Sequence, residues 1–237
     1  MALPANLLER LPMHFRHGEP SGQAVLPLGF SELDDALPDG GLPRGAVTEV
    51  VVHGRAALAT STALMACKSA QREAVARGGE APFCAFIDPT ATLHGPGVAA
   101  AGVDLERLLV VRPPLEALSR TAIRVVESQA FSVVVVDAAG IPGASIDIAL
   151  GGWPRVVRRL ALAAEESRTT VLLVTDGEAR RPLPLPVAMR VELARAEVDR
   201  LTVRIAKERR GRVSGPRSIV WTRPRAKPLK QRHRASA

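Results

Sequence analysis

Residues 49–62, Glu-Val-Val-Val-His-Gly-Arg-Ala-Ala-Leu-Ala-Thr-Ser-Thr, carry the frame of a phosphate-binding loop without its working groups. Such a loop reads G-x-x-x-x-G-K-[ST] between a strand and a helix. Gly54 and Ser61 keep the first glycine and the final hydroxyl, but Ala59 stands at the second glycine and Thr60 at the lysine. The lysine brings positive charge to the β/γ-phosphates, and the second glycine frees the backbone to wrap them. The pattern predicts a nucleotide-hydrolase fold that binds and hydrolyses nucleotide poorly. The same residues also suit a plain strand-to-helix turn.

The elements around this loop read as an α/β alternation. Residues 47–52 form a β-branched apolar strand, and 60–77 form a helix with Ala63, Leu64, Cys67, Ala70 and Ala74 on one face and Gly78-Gly79 as its stop. Further strands are predicted at 82–87, 108–111, 133–136 and 171–174, with helices at 95–101, 115–129 and 153–167. Strands that are apolar throughout, alternating with helices, imply a mostly parallel sheet covered on both faces. After Pro186 the period changes to two, so 189–196 and 200–205 predict an antiparallel hairpin at one sheet edge, with a further short strand at 218–222. Ser31 is the expected N-cap of a helix over 32–37. Residues 1–24 read as an arm whose Leu7, Leu8 and Leu11 share a helical face ended by Pro12. Residues 25–222 form the core, and 223–237 are expected to be a disordered basic tail.

The chain has 237 residues and 46% hydrophobic content, enough for one α/β domain with tails; 3% aromatics and no tyrosine make the core aliphatic. Cys67 and Cys84 have no metal-ligand spacing and suggest no disulfide framework, so a reducing cytoplasm is expected, with no metal and no cofactor. The amino terminus lacks the basic-then-apolar pattern of a signal peptide, and the longest apolar runs are strand-sized, so no membrane partner is expected. Net charge is +8, unevenly placed: from Arg200 onward 13 Lys/Arg face a single acid, Glu208, while the remainder holds 19 Lys/Arg and 23 Asp/Glu. A concentrated basic end points to a polyanion or an acidic protein surface, the bland alternative being a solubilising tail. The residues singled out for that contact are Lys207, Arg209, Arg210 and Arg212, then Arg223, Arg225, Lys227, Lys230, Arg232 and Arg234.

The run Leu28-Gly29-Phe30-Ser31-Glu32-Leu33-Asp34-Asp35-Ala36-Leu37, followed by Gly40-Gly41-Leu42-Pro43-Arg44-Gly45 and Thr48-Glu49-Val50, resembles the segment leading into the phosphate-binding loop of RecA recombinases. Cys84-Ala85-Phe86-Ile87-Asp88 resembles that family's second strand, Gly102-Val103-Asp104 its Gly-Val-Asp turn, and residues 133–137 its Walker B strand. The resemblance runs from about residue 25 to about residue 219 and implies a RecA-like fold. Measured against the family pattern, the glutamate that activates water is replaced by Thr90, two residues after Asp88, and the phosphate-sensing glutamine by Asp176. A threonine cannot act as a carboxylate base. Asp137 alone persists, and a strand-end aspartate can equally cap its own turn. Residues 177–186, where the family has a long flexible loop, are short and stiffened by Pro182, Pro184 and Pro186.

A short RecA-like chain with altered catalytic positions and a proline-rich basic tail looks like the ImuA-type accessory proteins of the translesion-synthesis mutasome. That resemblance implies a DNA-damage-inducible, non-enzymatic protein that contacts RecA and ImuB, reaches a DnaE-type error-prone polymerase indirectly, and uses Leu7, Leu8 and Leu11 as anchors of a partner-binding arm. The alternatives are a residual ATPase built on Ser61 and Asp137 with Lys68 as a borrowed lysine, a DNA-binding recombinase-like protein, and a cell-division inhibitor of the SulA type. Few aromatics are available to stack on bases, which weakens a single-strand-specific role.

Overall fold

The computed structural model describes residues 25–54, 58–140, 150–178 and 184–221. The arm residues Leu7, Leu8 and Leu11 and the tail cations Arg223, Arg225, Lys227, Lys230, Arg232 and Arg234 lie outside these ranges. In chain order the described elements are β1 (Val25–Leu26), α1 (Ser31–Asp34), β2 (Leu42–Pro43), β3 (Ala46–His53), α2 (Ala59–Ala76), β4 (Cys84–Ile87), α3 (Gly95–Ala101), β5 (Leu108–Val111), α4 (Leu118–Glu127), β6 (Val133–Ala138), α5 (Trp153–Ser167), β7 (Thr170–Asp176), β8 (Met189–Glu197), β9 (Arg200–Glu208) and β10 (Arg217–Val220).

An eight-stranded sheet runs in the order β10-β9-β8-β3-β7-β6-β4-β5, and β1 and β2 pair separately as a small antiparallel ribbon. From β8 to β5 every neighbouring pair is parallel, while β8–β9 and β9–β10 are antiparallel. This is the mostly parallel sheet with an antiparallel hairpin that the strand pattern predicts. The period-2 geometry of a strand sends alternate side chains to opposite faces. Val133 and Val135 of β6 join Leu172, Val50 and Phe86 in the cluster under α2, while Val134 and Val136 join Leu173, Ala85 and Val47 under α4 and α5. Trp221 closes the first cluster and Trp153 the second. Among the described residues no helix is long and apolar enough to cross a membrane.

Several local details differ from the sequence expectation. Ser31 is not the N-cap of α1: Phe30 occupies that position without a side-chain cap. The Ser31 hydroxyl instead donates to Glu32 at 2.9 Å, and Asp34 accepts the backbone N–H groups of Leu28, Gly29 and Phe30 at 2.6, 2.9 and 3.2 Å, closing the turn that leads into the helix. The helix expected over 115–129 opens as a 3-10 turn at Leu115–Ala117 and is α-helical only over α4. It closes where Ser128 donates its hydroxyl back to the Val125 carbonyl and Gln129 takes φ 56°. The hairpin does not itself form the edge, since β10 pairs outside β9.

Candidate functional site

The frame of the phosphate-binding loop sits where β3 delivers the chain to α2. Gly54 takes φ 74°, with open space where a Cβ would be. Residues 55–57 lie outside the described ranges. The helix starts at Ala59 behind Leu58, which takes left-handed φ 61°, ψ 20° and has no side-chain cap. A β-unbranched L residue in that region costs about 1–2 kcal/mol. Ala59 is buried, Thr60 is exposed and Ser61 half-buried. Thr62, not Ser61, satisfies the first turn: its N–H and its hydroxyl both donate to the Leu58 carbonyl, at 2.8 and 3.1 Å. The helix start therefore still presents backbone N–H groups, but brings no side-chain cation to them.

The neighbouring strand ends carry two buried carboxylates. Asp137 lies inside β6, one residue before its end, is 6% exposed, and accepts the Ala139 N–H at 3.1 Å. Burial pushes its pKa up to about 6, with the nearby Asp88 charge adding to the rise and backbone N–H groups opposing it. Asp88 is wholly buried and spends its oxygens on the Thr92 and Leu93 N–H groups at 3.0 and 2.9 Å and the Thr92 hydroxyl at 3.2 Å, with Arg112 Nε 3.6 Å from Oδ2. It closes its own turn. Thr90, two residues on, has a buried hydroxyl oxygen with no partner among the described residues. Asp176 ends β7 and accepts the Glu178 N–H at 2.9 Å. Gly177 follows it, and its N–H bonds the Val52 carbonyl at 2.8 Å. A Cβ on Gly177 would meet the His53 ring at 2.5 Å, so only glycine lets β7 leave beside β3.

No described hydrogen bond or ion pair joins Ser61 to Asp137, and Lys68 stands along α2 with its side chain over Gly102, 3.2 Å from where a Cβ would sit. Among the described residues, no group of three His, Cys, Asp or Glu gathers to hold a metal.

A second polar centre was given no role by the sequence motifs. Glu49, fully buried in the middle of β3, is bonded by Arg190 Nε of β8 at 2.7 Å and by the Thr175 hydroxyl of β7 at 2.9 Å. It thus ties three adjacent strands below the loop. Its one signal in the sequence is a lone glutamate inside an apolar run, 47–52. Lys207 belongs to the edge of this centre: desolvation, and then the Arg190 charge, lower its pKa, and its ammonium reaches the Leu185 carbonyl at 3.5 Å.

Of the basic residues expected to meet a partner, Arg212 is already engaged. It bonds both oxygens of Asp39 at 2.7 Å and reaches Glu208 at 3.1 Å. The bond from Arg212 holds the Asp39 carboxyl below its ordinary range. Arg210 lies 3.8 Å from the same aspartate. Arg209 is exposed and has no ion pair among the described residues. The Lys207–Arg212 stretch thus forms a partly neutralised corner, not a row of free cations.

The RecA N-terminal domain family matches residues 15–164. Curated relatives named "Protein RecA" include that of Oceanobacillus iheyensis, 31% identical over 75% of this chain and 56% of its own length. That of Saccharopolyspora erythraea is 34% identical over 64% of this chain and 45% of its own length. The protein of Salinispora tropica is 39% identical over 54% and 35%. The chain spans about half the length of the curated relatives it matches. A parallel sheet ordered around β3, a loop frame at its carboxyl end and this family match together place the chain in the RecA N-terminal domain family.

Proposed function

We propose that the protein is a non-catalytic RecA-like accessory factor of damage-induced translesion synthesis, binding RecA and ImuB and acting on a DnaE-type polymerase through ImuB. The observation that carries this reading is the amino end of α2. The lysine position is an exposed threonine, Thr60, the second glycine position is a buried alanine, Ala59, and the preceding residue is a capless leucine. A phosphoryl-transfer site works almost entirely by charge and positioning, and an arginine finger alone is worth ~10³–10⁵ in rate. A site lacking lysine, base and phosphate sensor has little left to turn over.

A protein without turnover acts through its surfaces. The sheet ends at β5, whose Leu109 and Val110 are 45% and 38% exposed beside Leu105 and Leu115. An exposed apolar edge strand presents unpaired backbone groups and favours contact with another chain. This edge supports a RecA-binding surface, and Arg209 with the tail cations supports an acidic or polyanionic contact.

The test is a pair of measurements on the full chain. ATP hydrolysis with and without single-stranded DNA is expected at buffer level. Pull-down by purified RecA and by purified ImuB is expected, with Leu109→Lys weakening the RecA arm selectively. Turnover abolished by Asp137→Ala, or absence of both interactions, would overturn the reading.

A further inference from the structure

The helices α4 and α5 lie side by side on the face of the sheet opposite α2. Arg159 Nε of α5 donates to Glu127 of α4 at 2.7 Å and staples them together. Each helix sends one side chain fully into the core, Ala122 from α4 and Val157 from α5, both 0% exposed. Arginines stand two residues either side of each: Arg120 and Arg124, then Arg155 and Arg159. With 3.6 residues per turn, those positions fall about 160° from the buried one, on the outer side of the helix. All four are exposed, and Arg158 adds a fifth exposed guanidinium beside them. Apart from Arg159, none of the five has an ion pair or hydrogen bond among the described residues.

This arrangement works against the free fold. Like charges at i and i+4 repel along a helix, and both helices carry such a pair. A negative partner relieves that repulsion. Guanidinium forks suit carboxylates and phosphates alike, so the surroundings choose between them. The basic area is bounded: Glu165 and Glu166 are exposed on the later turns of α5, and Glu116 is exposed just before α4. α4 has 10 residues and α5 has 15, so they are about 15 and 22 Å long. A nucleic-acid backbone running past the arginines meets those carboxylates, whereas one protein helix, about 10–12 Å wide, fits inside the bounds. Acids at i and i+4 of such a helix are about 5–6 Å apart, the spacing of each arginine pair. Leu162, 64% exposed, continues the α5 stripe and offers an apolar contact that a phosphate backbone does not use.

We propose that the outer face of α4 and α5 docks an acidic amphipathic helix of a partner protein, its carboxylates on Arg120, Arg124 and Arg155 and an apolar side chain on Leu162. The site is separate from the β5 edge and from Arg209, so it holds whatever those surfaces bind.

The probe is a fluorescent peptide of about 18 residues, long enough to be helical, with Glu at i and i+4 and Leu at i+7 and i+11 on one face. It is titrated onto the full chain by anisotropy beside a scrambled peptide of the same composition. The patterned peptide should bind ~tenfold tighter than the scrambled one. Arg120→Glu with Arg155→Glu should remove that advantage, and a peptide with Lys in place of Glu should then bind the reversed protein. Leu162→Asp should weaken the patterned peptide alone. All three positions are exposed, so Tm should stay at the parent value. Arg209→Glu, at the far side of the sheet, controls for plain charge attraction and should cost less than the α4–α5 reversal. Equal binding of the two peptides, an equal loss with Arg209→Glu, or no binding of the lysine peptide to the reversed protein would overturn the proposal. So would duplex DNA that binds the parent and is lost from the Arg120→Glu, Arg155→Glu variant, since the face would then be a nucleic-acid contact.

Discussion

Removing Glu49 tests whether the buried ion pair beneath the loop frame holds the sheet together. Glu49→Ala leaves Arg190 with 15% of its side chain exposed and one guanidinium nitrogen, Nη2, already buried with no hydrogen-bond partner among the described residues. Removing one member of a buried pair costs about 3–5 kcal/mol, because the remaining charge is desolvated and uncompensated. The partial exposure of Arg190 lets water reach it, so we predict the lower end, about 3 kcal/mol. For a chain of this size each kcal/mol moves Tm by about 2–4 °C, giving a fall of roughly 6–12 °C. The triple replacement Glu49→Leu, Thr175→Val and Arg190→Met removes both charges together with the buried hydroxyl that donates to Glu49, and we predict stability within about 1 kcal/mol of the parent. Urea unfolding followed by tryptophan fluorescence measures this. Trp153 and Trp221 are buried at 4% and 7% exposure against opposite faces of the sheet, so both faces report. A Glu49→Ala variant within about 1 kcal/mol of the parent, or a triple variant as unstable as the single one, would refute the pairing argument.

The remaining predictions concern single groups and the basic end. Asp137 has a folded pKa of about 6 against 3.8 for the free side chain. The folded state thus binds the proton more tightly, so this group's favourable contribution is complete below about pH 4 and is lost as pH rises through 6. The loss is about 3 kcal/mol, so Asp137→Asn should raise Tm at about pH 7.5 and flatten its slope between about pH 4 and 6; an unchanged slope would rule this out. Arg212→Ala breaks an exposed bidentate pair with Asp39, and we expect a loss below about 1 kcal/mol by thermal denaturation, a larger one contradicting a surface role. Trp221→Ala removes a buried ring packed on Phe30, and about 3–5 kcal/mol should be lost; near-parent stability in urea would show that Phe30 and its neighbours collapse to fill the space. If the basic carboxyl end meets DNA, deleting residues 223–237 should make log affinity less steep in log salt, by about 0.7–0.9 for each phosphate that the tail neutralises. An unchanged slope would leave the tail outside the interface.

The strand positions, their order along the chain and the class of fold were legible in the sequence because they rest on local pattern. Apolar β-branched runs such as 133–136, too short for a helix and bounded by polar or turn residues, read as buried strands, and the glycine pair after α2 reads as its stop; the run at 108–111 reads the same way, but as the edge strand β5 it leaves Leu109 and Val110 exposed. That Thr60 stands where the loop motif has lysine was equally legible, since a residue's identity needs no coordinates. Other features depended on long-range contacts. Glu49, Thr175 and Arg190 are distant in sequence, and only the β8-β3-β7 neighbourhood makes them one buried centre. Arg212 reads as a free cation until the fold sets Asp39, 173 residues away, against its guanidinium. The Ser31 expectation failed locally: Phe30 takes the N-cap position without a side-chain cap, and Asp34, three residues after Ser31, accepts the N–H groups of the turn before the helix. Local pattern determined which residues are apolar and which elements they form. Tertiary structure decided which charges are spent on each other, because desolvation and pairing depend on neighbours that the chain brings together only on folding.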